Sequence, residues 1–366
     1  KVMRWSPSTS SHGLEPCLIY SINVQVKTMA QNKIIGIDLA KNIFFLFEIN
    51  HKGKNISRKK LPRSKLLNYI AQQNECTISM EACSSAHYWA REFSKLGHQV
   101  MLFPPQHVKS QRHKQKNDYN DAEAIAEITL YQRHHPVPHK SIEQQDIQSV
   151  IKMRKLLITE RTRLINQVRG LLSEYGIIIP KGKTAFGKAI PSILEDAENQ
   201  LSSMLRELIY HQHERYNYIN EQVSWFDNKL NHTIQHFDNA KLLTSIPGFG
   251  PLTSQAVAVW MGSGQQFKTG RDASAAMGLV PKQNSTGGKT TLLGITKQGN
   301  TYIRSLLVHG ARAALRRAKF KSDKLSLWAV DIEKRRGANR AAVALANKLM
   351  RIAWAVISKN EEYKPA

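Results

Sequence analysis

The sequence predicts a mixed α/β unit, followed by long helices and then a mostly helical C-terminal unit. Over residues 31–140, short apolar runs and helical segments follow one another in the order βββαβα, which is typical of an α/β fold with a mixed sheet. Over 141–235, apolar residues recur at helical spacing. Over 236–360, helical segments are separated by turns that contain Gly and Pro. A chain of 366 residues is long enough for several domains with cores of their own.

The predicted strands of the first unit are short and apolar. The second strand follows the first after a brief turn, which predicts a hairpin. Pro104 and Pro105 end the last strand, because proline cannot donate a hydrogen bond to a sheet. The predicted elements are strands at 34–37, 43–47, 54–61, 77–80 and 99–103, and helices at 64–73 and 85–96.

The segment 141–235 predicts a helical linker that also serves as a dimerisation hairpin. Its two long amphipathic helices are separated by a break at Pro180, Gly182 and Gly187. The heptad pattern is imperfect, so we expect packing between helices in place of a long regular zipper.

Residues 1–30 show no periodicity, and Met29 stands just before the first predicted strand. We therefore expect residues 1–30 to be an extension that is disordered or foreign to the native protein. The three cysteines lack paired metal-ligand spacing, which argues against a disulfide framework and predicts a reducing cytoplasm. No run reaches the roughly 18 apolar residues of a membrane span, so we expect no membrane partner.

Four carboxylates carry the strongest chemical signal. Asp38 and Glu81 each end a predicted strand, and Asp118 and Asp121 are three residues apart, so a helix would place both on one face. Each acid alone also fits an ordinary strand end or the first turn of a helix. Together they offer hard oxygen ligands for Mg²⁺, with Mn²⁺ as an alternative, and predict metal-dependent phosphate chemistry.

The net charge of +25 predicts a polyanionic partner, most simply nucleic acid. Between 297 and 340, twelve Lys and Arg residues stand against three Asp and Glu residues, which predicts a phosphate-facing surface. Ile-Pro-Gly-Phe-Gly-Pro at 246–251 resembles a helix-hairpin-helix turn, whose glycines would let backbone amides approach a phosphate. The candidate contacts are Lys109, Arg112, Lys114, Lys116, Gly248, Gly250, Lys289, Lys297 and Arg304.

A segment rich in Gly, Ser and Thr at 281–289 predicts a loop with a candidate nucleophile. Ser285 could attack a phosphodiester if a base or a metal activated its hydroxyl. The alternative is an ordinary turn serine. The segment lacks the spacing of a Walker loop, which argues against ATP binding.

These motifs resemble the DEDD transposases of insertion sequences, a family that includes Piv-type DNA invertases. The resemblance extends over about residues 30–358. It implies a ribonuclease-H-like (RuvC-like) catalytic domain at 31–140, a helical linker at 141–235 and a serine-bearing transposase domain at 236–360. The matching motifs are Ile-Gly-Ile-Asp38-Leu-Ala-Lys, Glu81-Ala, Asn117-Asp-Tyr-Asn-Asp121-Ala, Ile-Pro-Gly-Phe-Gly-Pro, Ala276-Met-Gly-Leu-Val-Pro281, Ser285-Thr-Gly-Gly-Lys289 and Ile295-Thr-Lys-Gln-Gly-Asn300.

The resemblance implies a recombinase that cuts and rejoins DNA at the ends of an element and at its target. Asp38, Glu81, Asp118 and Asp121 would bind Mg²⁺. Ser285 would form a covalent phosphoserine link to DNA, with Thr286 as the reserve nucleophile. The resemblance also implies a structured bridge RNA as guide, a homo-oligomer (dimer or tetramer) and a location at the nucleoid in the bacterial cytoplasm.

Two alternatives stay open. A hydrolytic RuvC-like Holliday-junction resolvase or endonuclease would use only the four acids, so Asp38→Asn would abolish activity and Ser285→Ala would not. A catalytically decayed protein would bind nucleic acid without metal-dependent cleavage. The complete set of acids argues against decay.

Overall fold

The computed structural model describes residues 33–111, 117–131 and 136–365. The expectation for residues 1–30 therefore lies outside the described residues. The chain divides into two compact units, and the boundary lies between His139 and Lys140. The helical hairpin and the C-terminal helices fall in the same unit.

The first unit is built on a five-stranded mixed sheet with the strand order β3-β2-β1-β4-β5. β1 is antiparallel to β2, which is antiparallel to β3, whereas β1, β4 and β5 are mutually parallel. The predicted mixed α/β class is thus confirmed for this unit. The strands are β1 (Ile34–Asp38), β2 (Ile43–Ile49), β3 (Asn55–Pro62), β4 (Thr77–Glu81) and β5 (Gln99–Phe103), and the helices are α1 (Arg63–Ala71), α2 (Ala86–Lys95), α3 (Pro105–Gln111) and α4 (Asp118–Tyr131).

Helices cover both faces of the sheet. Successive side chains of β1 point to opposite faces, so each face presents apolar residues that a helix can bury. Ile35 and Ile37 are fully buried in a core with α1 and α2. On the other face, Ile34 packs with Ala122 and Ala126 of α4. A strand that is buried on both faces requires the continuous apolar run seen in the sequence.

The second unit begins with a helical hairpin. Helix α5 (Ile142–Ser173) starts at a capping box formed by Ser141 and Gln144, and it packs antiparallel to α7 (Ser203–Thr233). Between them lies α6 (Lys183–Glu195). Pro180, Gly182 and Gly187 all lie between the two long helices, as predicted, but Gly187 lies inside the short helix α6 and packs against Tyr216.

The C-terminal helices share a core with the ends of the hairpin. Ile147 of α5 and Leu230 of α7 belong to the same buried cluster as these helices. The elements are α8 (Asp238–Leu243), α9 (Pro251–Met261), α10 (Gly270–Ala276), β6 (Pro281–Thr286), β7 (Lys289–Ile295), α11 (Thr301–Ala318), α12 (Lys324–Arg336) and α13 (Ala338–Lys359).

The segment 281–289, predicted as a loop, instead forms the first strand and the turn of a two-stranded antiparallel ribbon, whose second strand extends to Ile295. Gly287 and Gly288 both have positive φ angles, of 55° and 77°, and link β6 to β7. Two such residues are what a tight type I′ hairpin turn requires. The ribbon was missed because nearly all its residues are exposed and give no alternating apolar pattern.

By length and composition, α13 could cross a bilayer, and no other helix in the described ranges could. Nine of its residues are buried, among them Leu345, Leu349 and Met350, and they lie in the core of the second unit. An apolar helix face inside a protein core accounts for this composition.

Candidate active site

Three of the four predicted carboxylates converge at one edge of the sheet. Asp38 ends β1, and Asp118 and Asp121 lie in the first turn of α4. Oxygen atoms from all three carboxylates lie within 4.8 Å of one another. The Asp121 amide donates to the Asn117 carbonyl oxygen at 2.9 Å, which sets the start of α4.

The close approach of α4 to β1 brings these acids together. A methyl group on Gly36 would lie 2.3 Å from the Ala122 carbonyl oxygen, so only glycine permits this packing. Tyr119 of α4 also packs edge-on against Phe45 of β2, with ring centroids 4.8 Å apart. The glycine two residues before Asp38 thereby positions the helix that carries the other two acids.

Glu81 lies at the same edge, because β4 runs parallel to β1 and Ile37 pairs with Met80. Burial raises the pKa of Glu81, and the negative charge of Asp121 raises it further. A nearby cation would favour the ionised form of both acids. Glu81 is outside the group of three that meet within 4.8 Å.

The donor set fits a divalent magnesium-type ion. Asp38, Asp118 and Asp121 offer only carboxylate oxygens, which hard cations prefer. Three carboxylates this close repel one another unless a cation lies among them. Burial and the neighbouring Glu81 and Asp38 raise the pKa of the Cys83 thiol to about 11, so without an ion this thiol is protonated at neutral pH.

The basic residues predicted beside the acids are only partly described. Lys109 is exposed in the last turn of α3, which follows β5. Arg112, Lys114 and Lys116 lie outside the described residues.

Ser285 belongs to the second unit, on the exposed ribbon. Its hydroxyl accepts a hydrogen bond from Gln283 Nε2 at 2.7 Å and lies 3.3 Å from Thr290 Oγ1. Thr286 pairs with Lys289 at the end of the ribbon. The side chains near the turn of the ribbon are exposed, namely Ser285, Thr286 and Lys289. Two hydroxyl groups and a cation are therefore accessible at this end of the ribbon.

The structure corrects the prediction for Arg304. This side chain is buried, and its guanidinium donates to the carbonyl oxygens of Met277 and Gln298 and to Thr301 Oγ1. Its donors therefore hold the 277–301 segment and do not face a phosphate. Lys297 is exposed beside it, in a left-handed conformation with φ of 58°.

Gly248 and Gly250 line a cleft of about 510 Å³ in the second unit. Gly248 serves packing, because a methyl group there would lie 2.3 Å from the Gly310 carbonyl oxygen. Gly250 faces open space. Arg317 and Lys321 also line this cleft and were not singled out from the sequence. Their spacing of four residues within a basic segment could have indicated that they share one face.

Comparisons with known proteins agree with these motifs. Residues 35–177 match a transposase model of the DEDD type, and residues 240–325 match the model described as Transposase IS116/IS110/IS902 family. The chain is 39% identical to the transposase for insertion sequence element IS1111A of Coxiella burnetii, over 92% of this chain and 93% of the relative. It is 38% identical to the transposase for insertion sequence element IS1328 of Yersinia enterocolitica, over 89% and 97%. The chain therefore belongs to the IS116/IS110/IS902 family of insertion-sequence transposases.

Proposed function

We propose that this transposase cuts and rejoins DNA in a Mg²⁺-dependent reaction that passes through a covalent phosphoserine at Ser285. The observation that supports it most is the convergence of Asp38, Asp118 and Asp121 within 4.8 Å, in a chain with a net charge of +25. The strand order and mixed pairing of the sheet support a RuvC-like, ribonuclease-H-like catalytic domain in the first unit.

In this proposal Asp38, Glu81, Asp118 and Asp121 hold Mg²⁺, or Mn²⁺ as an alternative. The bound ion would polarise the scissile phosphate and neutralise charge that develops on its oxygens. Glu81, with its raised pKa, would ionise fully beside that charge.

The chain's own nucleophile would be Ser285. Its Oγ forms a bond to the phosphorus, the bond from phosphorus to one deoxyribose oxygen breaks, and the serine proton ends on that departing oxygen. A deoxyribose hydroxyl of the new partner strand later attacks the phosphoserine and releases the serine. The ester conserves the energy of the phosphodiester, so the exchange needs no ATP. Because the acids and the serine belong to different units, either folding of the chain or a partner subunit must bring them to one phosphate.

The charge and the exposed apolar side chains of this protein indicate two kinds of binding partner. The basic surface suits DNA and a structured guide RNA, so that base pairing would read sequence while the protein holds the backbone. The helical hairpin exposes Met153, Leu156, Leu208 and Trp225, which supports packing against a second copy of the chain in a dimer or tetramer.

A covalent-adduct assay tests the reaction. The full-length protein with its co-purifying RNA is incubated with DNA that carries the element's junction and with Mg²⁺, then denatured and examined for protein-linked DNA. We expect an adduct in the wild type and in Thr286→Ala, and none in Ser285→Ala or Asp38→Asn.

The same assay separates the alternatives. Cleavage without an adduct that survives Ser285→Ala would indicate a hydrolytic resolvase or endonuclease that uses the acids alone. DNA binding without Mg²⁺-dependent breakage would indicate a decayed protein. An adduct lost only in Thr286→Ala would move the nucleophile by one residue.

A further inference from the structure

An open cleft of about 570 Å³ lies in the first unit, outside the group of acids. Its lining includes Asn42 from the turn after β1, Arg63 and Ser64 from the start of α1, and Tyr88 and Trp89 from α2. The volume is within the range of small-ligand sites. Nothing in the reaction described above uses these side chains.

The cleft combines an exposed aromatic ring with a cation. Tyr88 is 43% exposed, and Trp89 beside it is almost fully buried in the wall. The guanidinium of Arg63 lies over the Trp89 ring, 5.1 Å from its centroid. Among the described residues, no carboxylate forms an ion pair with Arg63. Its charge is therefore held in place by stacking and not neutralised by those residues.

An indole donor in the wall of the cleft also lacks an acceptor. The indole Nε1–H of Trp89 is buried without a hydrogen-bond acceptor in the described part of the chain. At the start of α1, the backbone amide of Arg63 already donates to the Asn42 carbonyl oxygen at 2.8 Å, so Arg63 would meet a phosphate through its guanidinium.

The cleft lies at the same edge of the sheet as the acids. Asn42 is four residues from Asp38, which limits their Cα separation to about 14 Å. The loop that leads into α2 starts directly after Glu81 and is only four residues long, so it passes beside that acid. A strand whose phosphate lies at the acids could continue over this edge into the cleft.

We propose that the cleft binds a nucleotide of an unpaired DNA strand next to the scissile phosphate. Tyr88 stacks on the base, while the guanidinium of Arg63 contacts the phosphate. Stacking on an aromatic ring accepts any base, and the cation follows the backbone, which is how proteins hold single strands without reading sequence. This inference rests on the proposed function, since it takes DNA as the substrate at the acids.

The test is photo-crosslinking of the full-length protein in EDTA to a single-stranded oligodeoxynucleotide that carries one 5-iodo-deoxyuridine. Mass spectrometry then locates the linked residue. We expect a link at Tyr88 or Trp89. Its yield should fall about tenfold in Tyr88→Ala and stay within about twofold in Tyr88→Phe, because phenylalanine keeps the stacking face. Tyr175→Ala, which removes a tyrosine of similar exposure (45%) in the second unit, should leave the yield unchanged.

A second measurement tests the cation. Arg63→Ala should weaken binding of the same oligodeoxynucleotide and reduce the slope of log affinity against log salt by about one, as for one lost phosphate contact. Lys65→Ala removes the same charge from the same helix, outside the cleft lining, and should leave the slope unchanged.

Several outcomes would overturn the proposal. These are links only to residues outside the cleft, equal yields in Tyr88→Ala and Tyr175→Ala, equal slopes in Arg63→Ala and Lys65→Ala, or a link at Tyr88 with the matching oligoribonucleotide and not with DNA. Because EDTA prevents metal-dependent cleavage, this test is separate from the adduct assay. A cleavage-dead wild type that still links at Tyr88 would refute the proposed reaction and leave this cleft assigned.

Discussion

Gly36 of β1 lies directly against Ala122 of α4: a methyl group on Gly36 would come within 2.3 Å of the Ala122 carbonyl oxygen and 2.9 Å of the Ala126 Cβ. This contact fixes the depth at which α4 lies on the sheet. Asp38 is two residues beyond Gly36, and Asp121 directly precedes Ala122. The packing of the sheet and the spacing of the carboxylates are therefore set by the same contact.

Gly36→Ala should accordingly damage both stability and activity. The added methyl must push α4 away from β1, which we expect to lower the free energy of unfolding by about 1–3 kcal/mol. A displacement of the acids by about 1 Å is expected to reduce DNA breakage on the order of 100-fold. Thermal denaturation and the adduct assay measure the two effects.

Gly170→Ala is the matched control for Gly36→Ala. Gly170 lies inside α5, and a methyl group there would meet no atom within 4 Å. Because alanine favours the helix, this change should raise stability by about 0.5–1 kcal/mol. If the two variants had equal stabilities, the packing argument for Gly36 would be wrong.

Magnesium should stabilise the first unit through its carboxylates. An ion that binds only the folded state raises the free energy of unfolding by about 2.7 kcal/mol at a concentration of 100 Kd. We expect the wild-type Tm to rise with Mg²⁺ and the Tm of Asp121→Asn to stay constant. In EDTA, the two proteins give the baseline Tm values from which each Mg²⁺-dependent rise is measured.

The control for the metal experiment is Glu207→Gln on α7, where a highly exposed carboxylate is removed far along the chain from the acids. It should keep the full Mg²⁺-dependent rise of Tm. A rise that persists in Asp121→Asn and in Asp38→Asn would place the ion elsewhere.

The elements that the sequence predicted well have side-chain patterns that follow from burial. The run from Ile34 to Ile37 is apolar because both faces of β1 are covered, and the three-residue spacing of Asp118 and Asp121 matches one face of α4. The ribbon that carries Ser285 was missed because it packs on neither face, so that only its Gly-Gly turn signals a hairpin.

Other features depend on contacts that are distant in sequence. Gly187 was predicted to lie in the break between the two long helices, yet a short helix, α6, runs through it. The Tyr216 ring packs beside Gly187, and the Tyr216 hydroxyl donates to the Lys183 carbonyl oxygen. In the sequence, Arg304 is indistinguishable from the other cations of the basic segment 297–340. Only the fold shows that the carbonyl oxygens of Met277 and Gln298 surround it.

Arg304→Ala should therefore lower stability and leave nucleic-acid affinity nearly unchanged. Loss of a buried guanidinium that donates to two carbonyl oxygens is expected to cost about 2 kcal/mol. Arg316→Ala, an exposed position on the same helix, should change stability by less than about 0.5 kcal/mol. A reduced salt slope of DNA binding with an unchanged Tm in Arg304→Ala would contradict its structural role.

For Lys289→Ala, at the tip of the ribbon, we expect the reverse of Arg304→Ala: an unchanged Tm and a smaller slope of log DNA affinity against log salt.

The two glycines of the 246–251 turn should also behave differently from each other. Gly248 has a φ of 84°, and a methyl group on it would lie 2.3 Å from the Gly310 carbonyl oxygen, so Gly248→Ala introduces both backbone strain and a clash with α11. We expect a loss of more than about 2 kcal/mol in the free energy of unfolding. Gly250 is the N-cap of α9 with a φ of −85° and open space around its Cα, so Gly250→Ala should cost only about 0.5–1 kcal/mol, roughly the difference between these residues at an N-cap. Denaturant titration of both variants measures this difference. Equal losses would mean that the turn is held by its own conformation and not by its contact with α11.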